Sequence, residues 1–205
     1  MTFALGDIYL HSLDKPEEAA VHYQQIVDDH VKDEIPEGVD DENLDFLLRD
    51  AAYNTVVAYN NSAREEHPDS ILVEMEARAG DVATLPPESR TLFVRAERAA
   101  DGRVPLPAGE SGVPPRQELA RLEREFVKAS IQFVELYPDD HITPTMQYIA
   151  AEVYLDRGYY EACIPMYLEI LESTPDDDYA GFAGASLMHV FERQNELAKV
   201  EAVVR

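Results

Sequence analysis

The stretch YLDRGYYEACIPMYLEILESTP, residues 154–175, holds four tyrosines, the chain's one cysteine and a proline inside a strongly apolar run. Its residue types suggest reactive chemistry, but their spacing suggests packing. Apolar residues recur at helical intervals on both sides of Gly158, which predicts a helix from Pro144 to Arg157 and another from Tyr160 to Ser173. Gly158 ends the first and Pro175 the second. Ala151 and Cys163 are small enough for the two helices to approach closely, and Tyr154, Tyr160 and Tyr167 fill the space around that crossing. Cys163, inside an apolar helix with no histidine close in sequence, is expected to be a buried, inert thiol. Pro165 conflicts with a regular second helix, so either that helix begins later or its first turn is distorted.

Working outward, helical periodicity recurs along the chain, and no stretch alternates with period two. Helices are expected over Thr2–Ser12, from Pro16 to His30, from Leu44 to Glu66, from Gln117 to Pro138 and from Tyr179 to Glu192, with a last partial one from Asn195. Between Glu66 and Gln117, DSILVEMEARAG and PESRTLFVRAERAADG suggest two short helices, and RVPLPAGESGVPPRQ is a linker by its prolines and glycines. Helix is expected from the second or third residue, and AKVEAVVR breaks off mid-helix, which suggests a piece of something longer.

A repeat underlies this pattern. Ala151, Tyr154, Gly158, Tyr160, Cys163, Tyr167, Ile170 and Pro175 stand where a tetratricopeptide (TPR) repeat of about 34 residues has small, aromatic, glycine, aromatic, small, aromatic, small-apolar and proline residues. The segment resembles that family across both helices and their turn. Leu5, Gly6 and Tyr9, followed by Ala19, Tyr23 and Ile26, resemble it again with one residue inserted in SLDKPEE. AYNTVVAY, residues 52–59, resembles a first helix whose partner is EFVKASIQFVELYP, with Phe126, Ser130, Phe133 and Pro138 in the second-helix positions.

The resemblance implies an all-α, antiparallel helix-pair solenoid with a long insertion in one repeat. Repeat 1 covers 2–30, a split repeat 2 covers 44–66 plus 117–138 around an insertion at 67–116, repeat 3 covers 142–175, and a partial repeat 4 covers 178–205. A looser likeness to the divergent repeats of bacterial gliding-motility and outer-membrane assembly proteins implies the cell envelope, and so the periplasm rather than the cytoplasm. The residues themselves assign no compartment.

Charge narrows the function. The chain carries 41 acids against 17 bases, a formal net charge of −24, which argues against nucleic acid or anionic lipid as a partner. Eight bases and seven acids lie between Pro86 and Lys128, so the excess acidity sits outside that segment, as a solvating surface or an attraction for a basic partner. The near-neutral insertion either folds onto the groove through Arg90, Arg95, Arg98 and Arg103 or stays open to another protein. No run approaches the roughly 18 apolar residues of a membrane span. A single cysteine rules out an intramolecular disulfide.

Chemical motifs are lacking. HYQQIVDDH places His22 and His30 near Asp28 and Asp29 without a metal-site spacing, and VDDENLD lacks the glycine and alternating oxygens of a calcium loop. PDDH at 138–141 suits a turn and helix cap, and GESGV has the wrong spacing for a nucleophile elbow. No metal, no cofactor and no enzymatic activity are expected; a free-standing hydrolase would need a cluster of histidines and acids.

The resemblance implies recognition instead. First helices of TPR pairs line a concave groove, and the matching positions are Asp7 and His11; Tyr53, Val57 and Asn61; Tyr148, Glu152 and Asp156; and Phe182, Ser186 and His189. A carboxylate clamp needs lysine, arginine and asparagine, and only Asn61 fits. The expected ligand is a peptide or protein with basic and apolar side chains. The expected role is a protein–protein interaction scaffold in a larger assembly; the alternative is a regulatory or substrate-positioning module of a larger enzyme.

Overall fold

A computed structural model describes residues 2–31, 41–66, 116–194, 196 and 199. Every regular element among the described residues is helical, and none is a strand. The helices are α1 (Thr2–Asp7), which continues into a π-helical turn (Ile8–Ser12), α2 (Pro16–Val31), α3 (Asp41–Glu66), α4 (Arg121–Leu136), α5 (Thr143–Asp156), α6 (Tyr160–Ser173) and α7 (Asp178–Arg193). Among the described residues no helix is long and apolar enough to cross a membrane. The two short helices and the linker expected after Glu66, and the four arginines of the fold-back reading, lie outside the described residues, as does most of the segment after Arg193.

The chain forms two compact units. The described part of unit 1 is 2–31 and 41–66 with Ala120–Thr143, and that of unit 2 is 116–119 with 144–194, 196 and 199.

In unit 1, α1 packs on α2, α2 on α3 and α3 on α4. Pro16 opens α2 where its missing N–H costs nothing, and Glu17 and Glu18 complement the positive end of the helix. Ala51, Ala52, Ala58 and Ala63 keep the buried side of α3 thin, and Tyr23, Leu122, Phe126 and Phe133 fill the core against it. Thr55, Ser62 and Ser130 are buried because each hydroxyl donates to the carbonyl four residues back. On the surface, Arg121 binds both oxygens of Glu17 at 2.7 and 2.9 Å, tying α4 to α2.

The helix expected from Gln117 begins instead at Arg121. Gln117 N–H donates to the carbonyl of Arg157 at 3.0 Å, which holds that residue out of a helix. Ala120, with ψ 159°, turns the chain into α4, and its N–H donates to buried Glu123 at 2.9 Å.

In unit 2, α5, α6 and α7 share one core made of Tyr148, Ala151, Tyr160, Cys163, Tyr167, Ile170, Ala183, Leu187 and Val190. Asp177 caps α7 by accepting the N–H of Tyr179 at 2.8 Å. Pro165 neither delays nor breaks α6, which runs unbroken from Tyr160. The one backbone bond proline removes is to the carbonyl of Glu161, and both residues are exposed on the outer side of the helix.

Candidate partner-binding surface

The two helix pairs α1/α2 and α5/α6 are built on one plan. In the second pair, Tyr167 is fully buried and donates its hydroxyl to Glu152 at 2.7 Å, fifteen residues earlier. In the first pair, Tyr23 is also fully buried and donates to Asp7 at 2.6 Å, sixteen residues earlier. Burial, reinforced by the neighbouring Asp7 carboxylate, pushes the Tyr23 phenol far above its ordinary pKa, so it stays a donor. A small residue precedes each acid: Ala151, with no exposed surface, and Gly6, where an added Cβ would stand 2.6–2.9 Å from the Tyr23 ring.

The one-residue difference is absorbed in the turn. After α5, Gly158 takes φ 78°, its N–H reaches the carbonyl of Leu155, and the Tyr159 N–H reaches back five residues to Tyr154. This is a Schellman ending, for which glycine suits the left-handed residue. After α1, the Leu13 N–H bonds the carbonyl of Ile8, Asp14 takes φ 52°, and the Lys15 N–H reaches back six residues to Tyr9. The π turn at Ile8–Ser12 therefore houses the inserted residue without moving Tyr23 away from Asp7.

The candidate residues divide by accessibility. In unit 1, His11 is exposed, and Asp7, Tyr53, Val57 and Asn61 are partly exposed. Tyr53, Val57 and Asn61 share one face of α3, opposite the stripe formed by Leu48, Ala52, Val56 and Tyr59.

In unit 2, Asp156 and Phe182 are partly exposed, while Tyr148, Glu152, Ser186 and His189 are buried. Those four side chains face the interior, not a surface open to a partner. Tyr148 lies against Tyr167, Tyr179 and Phe182, with ring centroids 6.0, 5.3 and 5.9 Å away. Ser186 donates to the same oxygen of Glu152 that Tyr167 uses, also at 2.7 Å, so one buried carboxylate joins α5, α6 and α7.

Two residues join the candidates. Phe46 is 65% exposed and precedes Tyr53 by two helical turns, which continues the same face of α3. The i, i+7 spacing was legible in the sequence, but its place before the repeat-like segment hid it. Tyr179 sits half-buried beside Phe182, and burial raises its phenol pKa.

Several polar side chains of unit 1 are committed to each other. Arg49 binds Asp140 through Nε at 2.5 Å and Nη2 at 3.3 Å, and the guanidinium holds the Asp140 carboxyl below its usual pKa. A depression of about 300 Å³ lies beside Lys15, Glu17, Ser62 and Leu122. Among the described residues no three histidine, cysteine or acidic side chains are grouped to hold a metal ion. Comparison with protein-family models, with curated proteins and with solved structures found no match.

Proposed function

We propose that the protein is a protein–protein interaction module of tetratricopeptide-like helix pairs, serving as a scaffold in a larger assembly. The observation that carries this reading is the matched pair Tyr23–Asp7 and Tyr167–Glu152: a phenol-to-carboxylate bond from a fully buried tyrosine, to an acid that follows a small residue, Gly6 or Ala151, at matching positions in two helix pairs. Repeats of this kind hold a surface in place more than they build a reactive centre. The binding face lies on the first helices of the pairs, chiefly Tyr53, Val57 and Asn61 on α3, extended by Phe46. It joins an aromatic anchor to apolar and amide groups in a chain of formal charge −24, which suits a partner segment with apolar and basic side chains.

Co-purification tests the proposal. Wild-type protein should retain a partner that a Tyr53→Ala/Asn61→Ala variant loses with its helix content unchanged by circular dichroism. Equal retention by both would reject the α3 face.

A further inference from the structure

Asp7 and Glu152 hold the same position in their helix pairs, but they are not equally satisfied. Glu152 is 2% exposed and receives hydroxyls from both Tyr167 and Ser186. Asp7 is partly exposed and, among the described residues, receives one, from Tyr23 at 2.6 Å. A carboxylate offers about four acceptor sites, so most of the capacity of the partly exposed Asp7 is not taken up by Tyr23. Tyr23, locked by burial and by the edge-on ring of Phe3 at 5.4 Å, fixes one oxygen in place. The carboxylate is thus pre-oriented at little further entropic cost. Phe3 one turn before it and Leu10 about one turn after it are half-buried and give an aliphatic stem something to lie on.

We infer that Asp7 is the anchor for a lysine or arginine side chain of the bound segment. The inference rests on the interaction-module reading and adds the chemistry of one contact. A cationic donor supplies at Asp7 what Ser186 supplies at Glu152, and it complements a chain with 41 acids. An acidic or purely apolar segment would leave the Asp7 charge unanswered on binding.

The test is fluorescence anisotropy with two labelled helical peptides, one of leucine and lysine and one with each lysine replaced by glutamine. Wild-type protein should bind the lysine peptide more tightly. Asp7→Asn should reduce that preference by about tenfold, while Glu172→Gln, on an exposed acid of α6, should leave it in place. If Asp7→Asn disturbs the fold by circular dichroism, Asp7→Leu/Tyr23→Phe removes both hydrogen-bonding partners together and should show the same loss of preference. A preference that survives both variants, or falls equally with Glu172→Gln, overturns the assignment of Asp7 and leaves the module reading standing. Failure of wild-type protein to bind either peptide overturns both.

Discussion

Tyr167 and Glu152 form a 2.7 Å hydrogen bond inside the three-helix core of unit 2, and Tyr23 and Asp7 form its counterpart at 2.6 Å in unit 1. The bonds match in position but differ in exposure. Tyr167→Phe removes a donor from a carboxylate with almost no access to water and should cost about 2 kcal/mol in urea unfolding. Tyr23→Phe should cost about half as much, because water reaches the partly exposed Asp7. Equal losses, or none at Tyr167, would contradict the structure.

Gly6 is a packing requirement. A Cβ there meets the Tyr23 ring at 2.6–2.9 Å, and that ring is fully buried and cannot swing away. Gly6→Ala should destabilise the fold by about 1–3 kcal/mol despite alanine's better helix propensity. A thermal melt matching wild type would show that α1 and α2 cross less closely.

The two left-handed turn residues predict opposite outcomes. Gly158, at φ 78°, tolerates no side chain comfortably, and Gly158→Ala should lose about 1 kcal/mol. Asp14, at φ 52°, already bears the strain of a side chain in that region, so Asp14→Gly should leave stability unchanged or raise it slightly. Chemical denaturation of the two variants side by side checks both signs.

Stability should depend on pH through Asp140. Its pKa is lowered, first by the hydrogen bond from Arg49. The folded state therefore binds the Asp140 proton less readily than the unfolded chain does. The resulting stabilisation is present above the ordinary carboxylate pKa of about 4 and is lost as pH falls through the lower folded value. Asp140→Asn should cost about 1–2 kcal/mol at pH 7, and the gap to wild type should close in acid below that range. A gap independent of pH, measured by urea unfolding across the series, would contradict the ion pair.

Much of the fold was legible because it rests on spacing. The intervals from Ala151 to Pro175 give two helices and their turn, and Gly158 and Pro175 fall at the ends of α5 and α6. The start of α4 was not legible, because the backbone bond from Gln117 to Arg157 links residues forty positions apart. The π turn was also hidden, since an inserted residue in SLDKPEE does not say whether a loop or a helix takes it up. For the candidate surface, spacing along one helix does not report what the next helix covers. Glu152 is a charged residue on a regular stripe, which ordinarily means solvent; the hydroxyls of Tyr167 and Ser186 make its burial tolerable. Tyr148 is similarly enclosed by Tyr179 and Phe182. Asn61, Tyr53 and His11 keep their access.

Site-specific photo-crosslinking in an extract of the protein's own cells tests most directly the proposed docking of a partner on the outer face of α3. A benzophenone amino acid in place of Tyr53 and another in place of Phe46 should capture the same protein, and one in place of Leu168, exposed on α6, should not. Capture of that protein from Leu168 as readily as from Tyr53, or from neither α3 position, would contradict the account.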